Sequence, residues 1–165
     1  GHGLPIACGM ALGLRLSGGA GRVFTVLGDG ELPEGSNWEG AAIAAHHKLN
    51  NLVAFIDVND LQISGHTADV MNMEPITDKF SAFGWAVRTI DGNDMREVIS
   101  VLDQTPLSTS RPTAIVARTT KAQGISFLEG TAASHYWKPN PEELDAAEAE
   151  LQNRLATISE TVGTR

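Results

Sequence analysis

Two short apolar runs, thirty residues apart, constrain this chain more than any other feature. Arg22 to Leu27 (RVFTVL) and Leu52 to Val58 (LVAFIDV) are rich in β-branched residues and too short for buried helices, so each is predicted to be a buried strand. The segment between them opens with Pro33 and Gly35 in a loop. It continues through Ser36-Asn37-Trp38-Glu39, which has the spacing of a capping box, into a helix predicted to run to about Leu49. A strand, a helix and a strand in this length make a crossover unit, whose strands lie parallel. Gly28-Asp29-Gly30 stops the first strand and Asn59 follows the second. Both side chains then stand at strand carboxyl ends, where open α/β sheets bind ligands. One carboxylate and one amide oxygen make a hard-oxygen pair suited to Mg²⁺ carrying a phosphate ligand. Taken singly, Asp29 and Asn59 read as ordinary turn residues; the crossover spacing favours the metal site.

The remainder repeats the alternation. A helix is predicted from Leu4-Pro5 to about Leu16, small-faced at Ala7, Gly9, Ala11 and Gly13, which implies close backbone approach to a neighbour. A short helix near Thr77 to Phe83 ends at Gly84, and Trp85 to Ile90 is a third strand. Asp94-Met95-Arg96-Glu97 begins a helix with Met95, Val98, Ile99 and Leu102 as its apolar stripe, and Thr113 to Ala117 is a fourth strand. Residues 129–141 are irregular, and a final helix from Pro141 carries Leu144, Leu151, Leu155 and Ile158 along one side. The expected fold is α/β: a doubly wound, mostly parallel sheet with helices on both faces. A chain of 165 residues is expected to form a single domain.

Composition excludes some functions. The net charge of −8 argues against nucleic acid as a partner, and no apolar run approaches a membrane span. Cys8 is the single cysteine, which rules out an internal disulfide framework, points to a reducing cytoplasm and reads as a small buried apolar residue. An acidic chain that holds a diphosphate needs a metal ion or backbone N–H groups to offset the charge. Gly28-Asp29-Gly30 lacks the third glycine of a dinucleotide fingerprint, which makes a nicotinamide dehydrogenase a weak reading.

From Gly1 to about His135 the chain resembles transketolases, through Gly28-Asp29-Gly30-Glu31-Leu32, Glu34-Gly35-Ser36, Glu39 and the Asn59 that closes the crossover. The resemblance is to the diphosphate-binding half of a transketolase encoded as two subunits. It implies thiamine diphosphate and Mg²⁺ (or Ca²⁺) as cofactors, with Asp29, Asn59 and the Leu61 carbonyl as metal ligands. Gly28, Asp29, Gly30, Asn59 and Leu61 would then contact the cofactor, Gly30 through its N–H. His135 would contact diphosphate and substrate and serve as the catalytic histidine, although the glycine common after that histidine is Tyr136 here. The Lys121 to Gly124 loop also departs from the more glycine-rich form of split transketolases. The resemblance places Glu34 and Glu39 at a homodimer interface, whereas Glu39 alone reads equally as the N3 member of a capping box. It implies a chain lacking the family's N-terminal segment, a C-terminal pyrimidine-binding partner subunit, a heterotetramer, and sugar phosphate substrates between which a two-carbon ketol unit passes. A non-catalytic thiamine-diphosphate-binding subunit, a deoxyxylulose-phosphate synthase and a 2-oxoacid dehydrogenase are the alternatives. His46-His47, late in a helix, is expected to be structural or interfacial.

Overall fold

A computed structural model describes residues 1–162, with side chains described through residue 158. The chain divides into two compact units, Gly1–Thr119 and Thr120–Arg165. The first contains α1 (Gly3–Leu16), β1 (Val23–Gly28), α2 (Gly35–His46), β2 (Leu52–Val58), a small antiparallel hairpin of β3 (Leu61–Gln62) and β4 (Gly65–His66), α3 (Thr67–Val70), α4 (Ile76–Ala82), β5 (Ala86–Asp91), α5 (Met95–Asp103) and β6 (Thr113–Arg118). The four long strands lie in the order β1-β2-β6-β5, all parallel. The predicted strands therefore hold to within a residue at each end.

One face of the sheet is covered by α1, α2 and α4. Leu4, Ala7 and Ala11 of α1, Ala41 and Ala44 of α2, and Ile76 and Phe80 of α4 join Leu27, Ile56 and Val116 in one core. On the other face, Val98 and Val101 of α5 pack with Val53, Ile90, Ile115 and Ala117. β6 is buried at every position but its last, as expected for a central parallel strand covered on both sides.

Small residues account for the tight α1–α2 contact. A Cβ at Gly40 would lie 3.3 Å from both Leu4 Cγ and the Pro5 nitrogen. Cys8 is buried there with its thiol directed at the Gly40 carbonyl (3.3 Å), and burial pushes the thiol up to about 11. At that value it stays protonated at neutral pH, as a packing residue rather than a nucleophile. The close approach runs through Ala7 and Ala11, whereas Gly9 and Gly13 face open space.

Three expectations need correction. Glu34, not Ser36, is the N-cap of α2, and its side chain makes no capping bond, so the capping box does not form. Ser36 Oγ instead donates to the Gly1 carbonyl (2.7 Å). α2 also ends at His46, because Lys48 adopts φ +50°. The N–H of Lys48 then donates to the Ala45 carbonyl and that of Leu49 to the Ala44 carbonyl, a Schellman ending without glycine. The buried face of α2 is Asn37, Gly40, Ala41 and Ala44, while Ala42 is exposed. On α5, Met95 and Ile99 are exposed, because Val98 and Val101 are the pair turned toward the sheet.

The second unit holds a 3₁₀ segment, Ala132–Tyr136, and α6 (Pro141–Val162). Within it, Ser126 donates to Glu150 from both its backbone N–H (2.6 Å) and its hydroxyl (2.7 Å). Leu144, Leu151, Leu155 and Ile158 are all exposed.

Candidate metal and diphosphate site

At the carboxyl end of β1 the chain turns through a 3₁₀ segment, Asp29–Glu31, which drives the Asp29 side chain inward to 3 % exposure. Its Oδ1 accepts from the Gly30 N–H (2.8 Å) and its Oδ2 from the Asp60 N–H (2.7 Å). The second bond ties the end of β1 to the turn that follows β2. That turn carries Asn59, thirty residues beyond Asp29 in sequence.

The turn after β2 is itself well defined. Asn59 Oδ1 accepts from the Leu61 N–H (3.1 Å) and its Nδ2 donates to Asp57 Oδ2 (3.3 Å), which fixes which end of the amide is oxygen. Asp60 sits at φ +60°, where short polar side chains are tolerated. Asp57 also accepts from the Thr119 hydroxyl, and the Thr119 N–H donates to the Val58 carbonyl (3.0 Å), so the end of β6 braces the end of β2.

Gly30 has a steric requirement. A Cβ there would stand 2.7 Å from Gln62 Cβ, so only glycine lets the β3–β4 hairpin lie against the Gly28-Asp29-Gly30 turn. Its N–H, which the resemblance directs at the cofactor, is given to Asp29.

The electrostatics favour a cation. Burial raises the Asp29 carboxyl above the usual carboxylate range, against the lowering effect of its two N–H donors, and the negative Asp60 and Asp57 nearby add to the rise. Both Asp29 oxygens and the Asn59 oxygen are carbonyl-type acceptors with lone-pair capacity left after the bonds described. Beside Asp29 lies a cavity of about 10 Å³, lined in part by Asp60, Thr67, Asn72 and Glu74. Glu74 is held in place by Arg118 (2.5 Å) and by the Ile76 N–H (2.8 Å). Burial would raise its carboxyl, but these partners hold it below the usual range. No cluster of three or more histidine, cysteine, aspartate or glutamate side chains placed to hold a metal occurs among the described residues. Asp29, Asn59 and a backbone carbonyl are hard oxygen donors, a set that would suit Mg²⁺ better than Zn²⁺.

Other site candidates are placed as follows. Leu61 opens β3, buried beneath the turn. Glu34 and Glu39, at the start of α2, are exposed. His135 belongs to the second unit, exposed and edge-on to Tyr136 with ring centroids 4.6 Å apart. His46 and His47 close α2, exposed and edge-on to each other. Asp57, Asp60 and Thr119 escaped the sequence reading. Asp57 carried a signal, as the one charged residue in an otherwise apolar strand.

The carboxyl end of this parallel α/β sheet, the edge where open sheets bind ligands, thus ties a buried carboxylate to the turn that carries Asn59. Residues 20–154 match the family model described as transketolase, thiamine diphosphate binding domain. The chain belongs to the transketolase family. It is 42% identical over 153 residues to an apulose-4-phosphate transketolase subunit of Actinobacillus succinogenes, covering 93% of this chain and 55% of that protein. It is 41% identical over 156 residues to a 6-deoxy-6-sulfo-D-fructose transketolase subunit of a Clostridium species, covering 94% of this chain and 57% of that protein. The transketolase of Campylobacter jejuni superposes with a TM-score of 0.83 at 30% identity, over 89% of this chain and 24% of that one. The chain thus spans about half the length of these curated relatives. No helix among the described residues is long and apolar enough to cross a membrane.

Proposed function

We propose that the chain is the diphosphate-binding part of a thiamine-diphosphate- and Mg²⁺-dependent transketolase that works as two kinds of subunit on sugar phosphates. The observation that supports this reading is the Asp29–Asp60 bond, which ties the buried Asp29 carboxylate to the turn that carries Asn59. Asp29, Asn59 and the Leu61 carbonyl would hold the metal. When bound, thiamine diphosphate supplies the nucleophilic carbon for transfer of a two-carbon ketol unit.

The chain's own residues act as an anchor. Thr119 orients Asp57, Asp57 orients Asn59, and Gly30 and Asp60 hold the Asp29 carboxylate against its turn. Such supporting bonds fix ligand direction before a metal arrives. Gly28, just before Asp29, and Gly30 would line the diphosphate. The exposed His135 is assigned to substrate and diphosphate contact, and the exposed Glu34 and Glu39 to a homodimer contact within a heterotetramer. The pyrimidine-binding partner would supply the residue that activates the cofactor's reactive end, in a cytoplasmic enzyme.

The test is an assay of ketol transfer from xylulose 5-phosphate to ribose 5-phosphate. The chain alone should be inactive while binding thiamine diphosphate in a Mg²⁺-dependent way, and addition of the partner subunit should give turnover. Turnover by the pure chain alone would overturn the two-subunit reading. Magnesium-dependent binding without activity in the assembled pair, across several ketose and aldose phosphates, would leave a non-catalytic binding subunit. In the active pair, His135→Ala should lower kcat about 100-fold while cofactor affinity stays within a few-fold.

A further inference from the structure

We propose a second anion site at the opposite, amino end of the sheet, built for a phosphate group. A cleft of about 350 Å³ opens where β1 and β2 begin, lined by Arg15, Arg22, Asn50, Asn51, Pro106 and the turn 19–21. None of its lining residues is acidic, although the chain as a whole carries a net charge of −8. The two arginines have no carboxylate partner among the described residues.

Both guanidinium groups are positioned in advance. Arg15 spends Nη1 on the carbonyls of His47 (2.8 Å) and Lys48 (3.0 Å), at the Schellman end of α2. Arg22 spends Nη1 on the Thr105 carbonyl (2.9 Å) and hydroxyl (2.7 Å), with its guanidinium over the Phe24 ring at 5.3 Å. Each retains Nη2 and Nε donors, in the planar fork that suits phosphate oxygens. Because the stems are already ordered, binding an anion there loses little side-chain entropy.

Neighbouring groups complete the wall of the cleft. The backbone N–H groups of Ala20 and Gly21, in the lining turn, have no hydrogen-bond partner among the described residues. Such N–H groups are free to donate to an anion. Asn51 donates through Nδ2 to the Ala11 carbonyl (2.9 Å), while its Oδ1 is buried with no partner. The strands between the two ends are six and seven residues long, so the cleft lies about 20 Å from Asp29. It is therefore distinct from the cofactor site and independent of the function proposed above.

Calorimetric titration of the full-length protein, without Mg²⁺ or thiamine diphosphate, tests this with inorganic phosphate, ribose 5-phosphate and sulfate. Saturable phosphate binding is expected, shared by sulfate and weakened about tenfold by Arg15→Gln or Arg22→Gln. It should persist in Asp29→Ala, which damages only the other end. Equal affinity for phosphate and ribose 5-phosphate identifies free phosphate as the ligand, and tighter ribose 5-phosphate binding identifies an ester. A readout without variants is the amide shift of Ala20 and Gly21 on phosphate addition, which should saturate with the calorimetric curve. Absence of saturable binding, affinity unchanged in both arginine variants, or loss of binding in Asp29→Ala would each overturn the proposal.

Discussion

The carboxyl and amino ends of the same four-stranded sheet carry opposite chemistry. At one end Asp29, Asp57 and Asp60 gather, and at the other Arg15 and Arg22 line a cleft without an acid. The two ends use one device with the polarity reversed. Asp29 is fixed by accepting from backbone N–H groups, and the arginines are fixed by donating to backbone carbonyls. In both cases the main chain orders a charged group without neutralising it. The difference lies in burial. Burial raises the Asp29 carboxyl, a cost that a bound cation would offset, whereas the arginines border open water and keep their charge at little cost.

The comparison can be broken first at Asp29. Asp29→Ala should abolish detectable Mg²⁺-dependent binding of thiamine diphosphate by calorimetry, while phosphate still shifts the Ala20 and Gly21 amides. Next in size, Gly30→Ala should cost about 1–3 kcal/mol in urea denaturation, because the new Cβ overlaps Gln62 and pushes the hairpin off the turn. Thr119→Val removes the donor that orients Asp57, and should weaken Mg²⁺-dependent cofactor binding about tenfold. At the other end, Arg22→Gln should cost about 1 kcal/mol of stability through its bonds to Thr105, leaving the cofactor site unchanged.

The smallest effect is a pH dependence. Burial raises the native Asp29 carboxyl above its unfolded value, so the folded chain binds that proton more tightly than the unfolded chain. The Asp29 contribution is then fully present below the ordinary carboxylate pKa. It is lost as pH rises through the raised native value. Urea denaturation of wild type and Asp29→Asn in metal-free buffer should show the wild-type advantage falling across that window and flat above it. An advantage that grew with pH would mean the carboxylate is already compensated without metal.

Much of this was legible in the sequence because apolar runs and their spacing fix a parallel crossover. RVFTVL and LVAFIDV became β1 and β2 nearly residue for residue. The meeting of Asp29 with the Asn59 turn follows from that crossover alone. Local signals did worse where tertiary contacts compete. Ser36-Asn37-Trp38-Glu39 has capping-box spacing, yet Asn37 and Trp38 are drawn to the Glu31 and Leu32 carbonyls (both 2.7 Å), and the helix starts two residues earlier. Lys48 ends α2 in a conformation usually given to glycine, as Gly84 ends α4 at φ +93°, and no residue type announced it. The roles of Asp57, Asp60 and Thr119 depend on strand register, which brings Asp57 level with Gly28 and Ala117. Register emerges only once the sheet order is known.

The central claim is that the carboxyl end anchors a diphosphate through a metal held by Asp29 and Asn59. Titration of thiamine diphosphate into wild type and Asn59→Ala, each with Mg²⁺ and with EDTA, tests it most directly. Saturable binding to wild type is predicted only with Mg²⁺, weakened about tenfold or more in Asn59→Ala. Equal binding in EDTA, or Mg²⁺-dependent binding of undiminished affinity in Asn59→Ala, would contradict it.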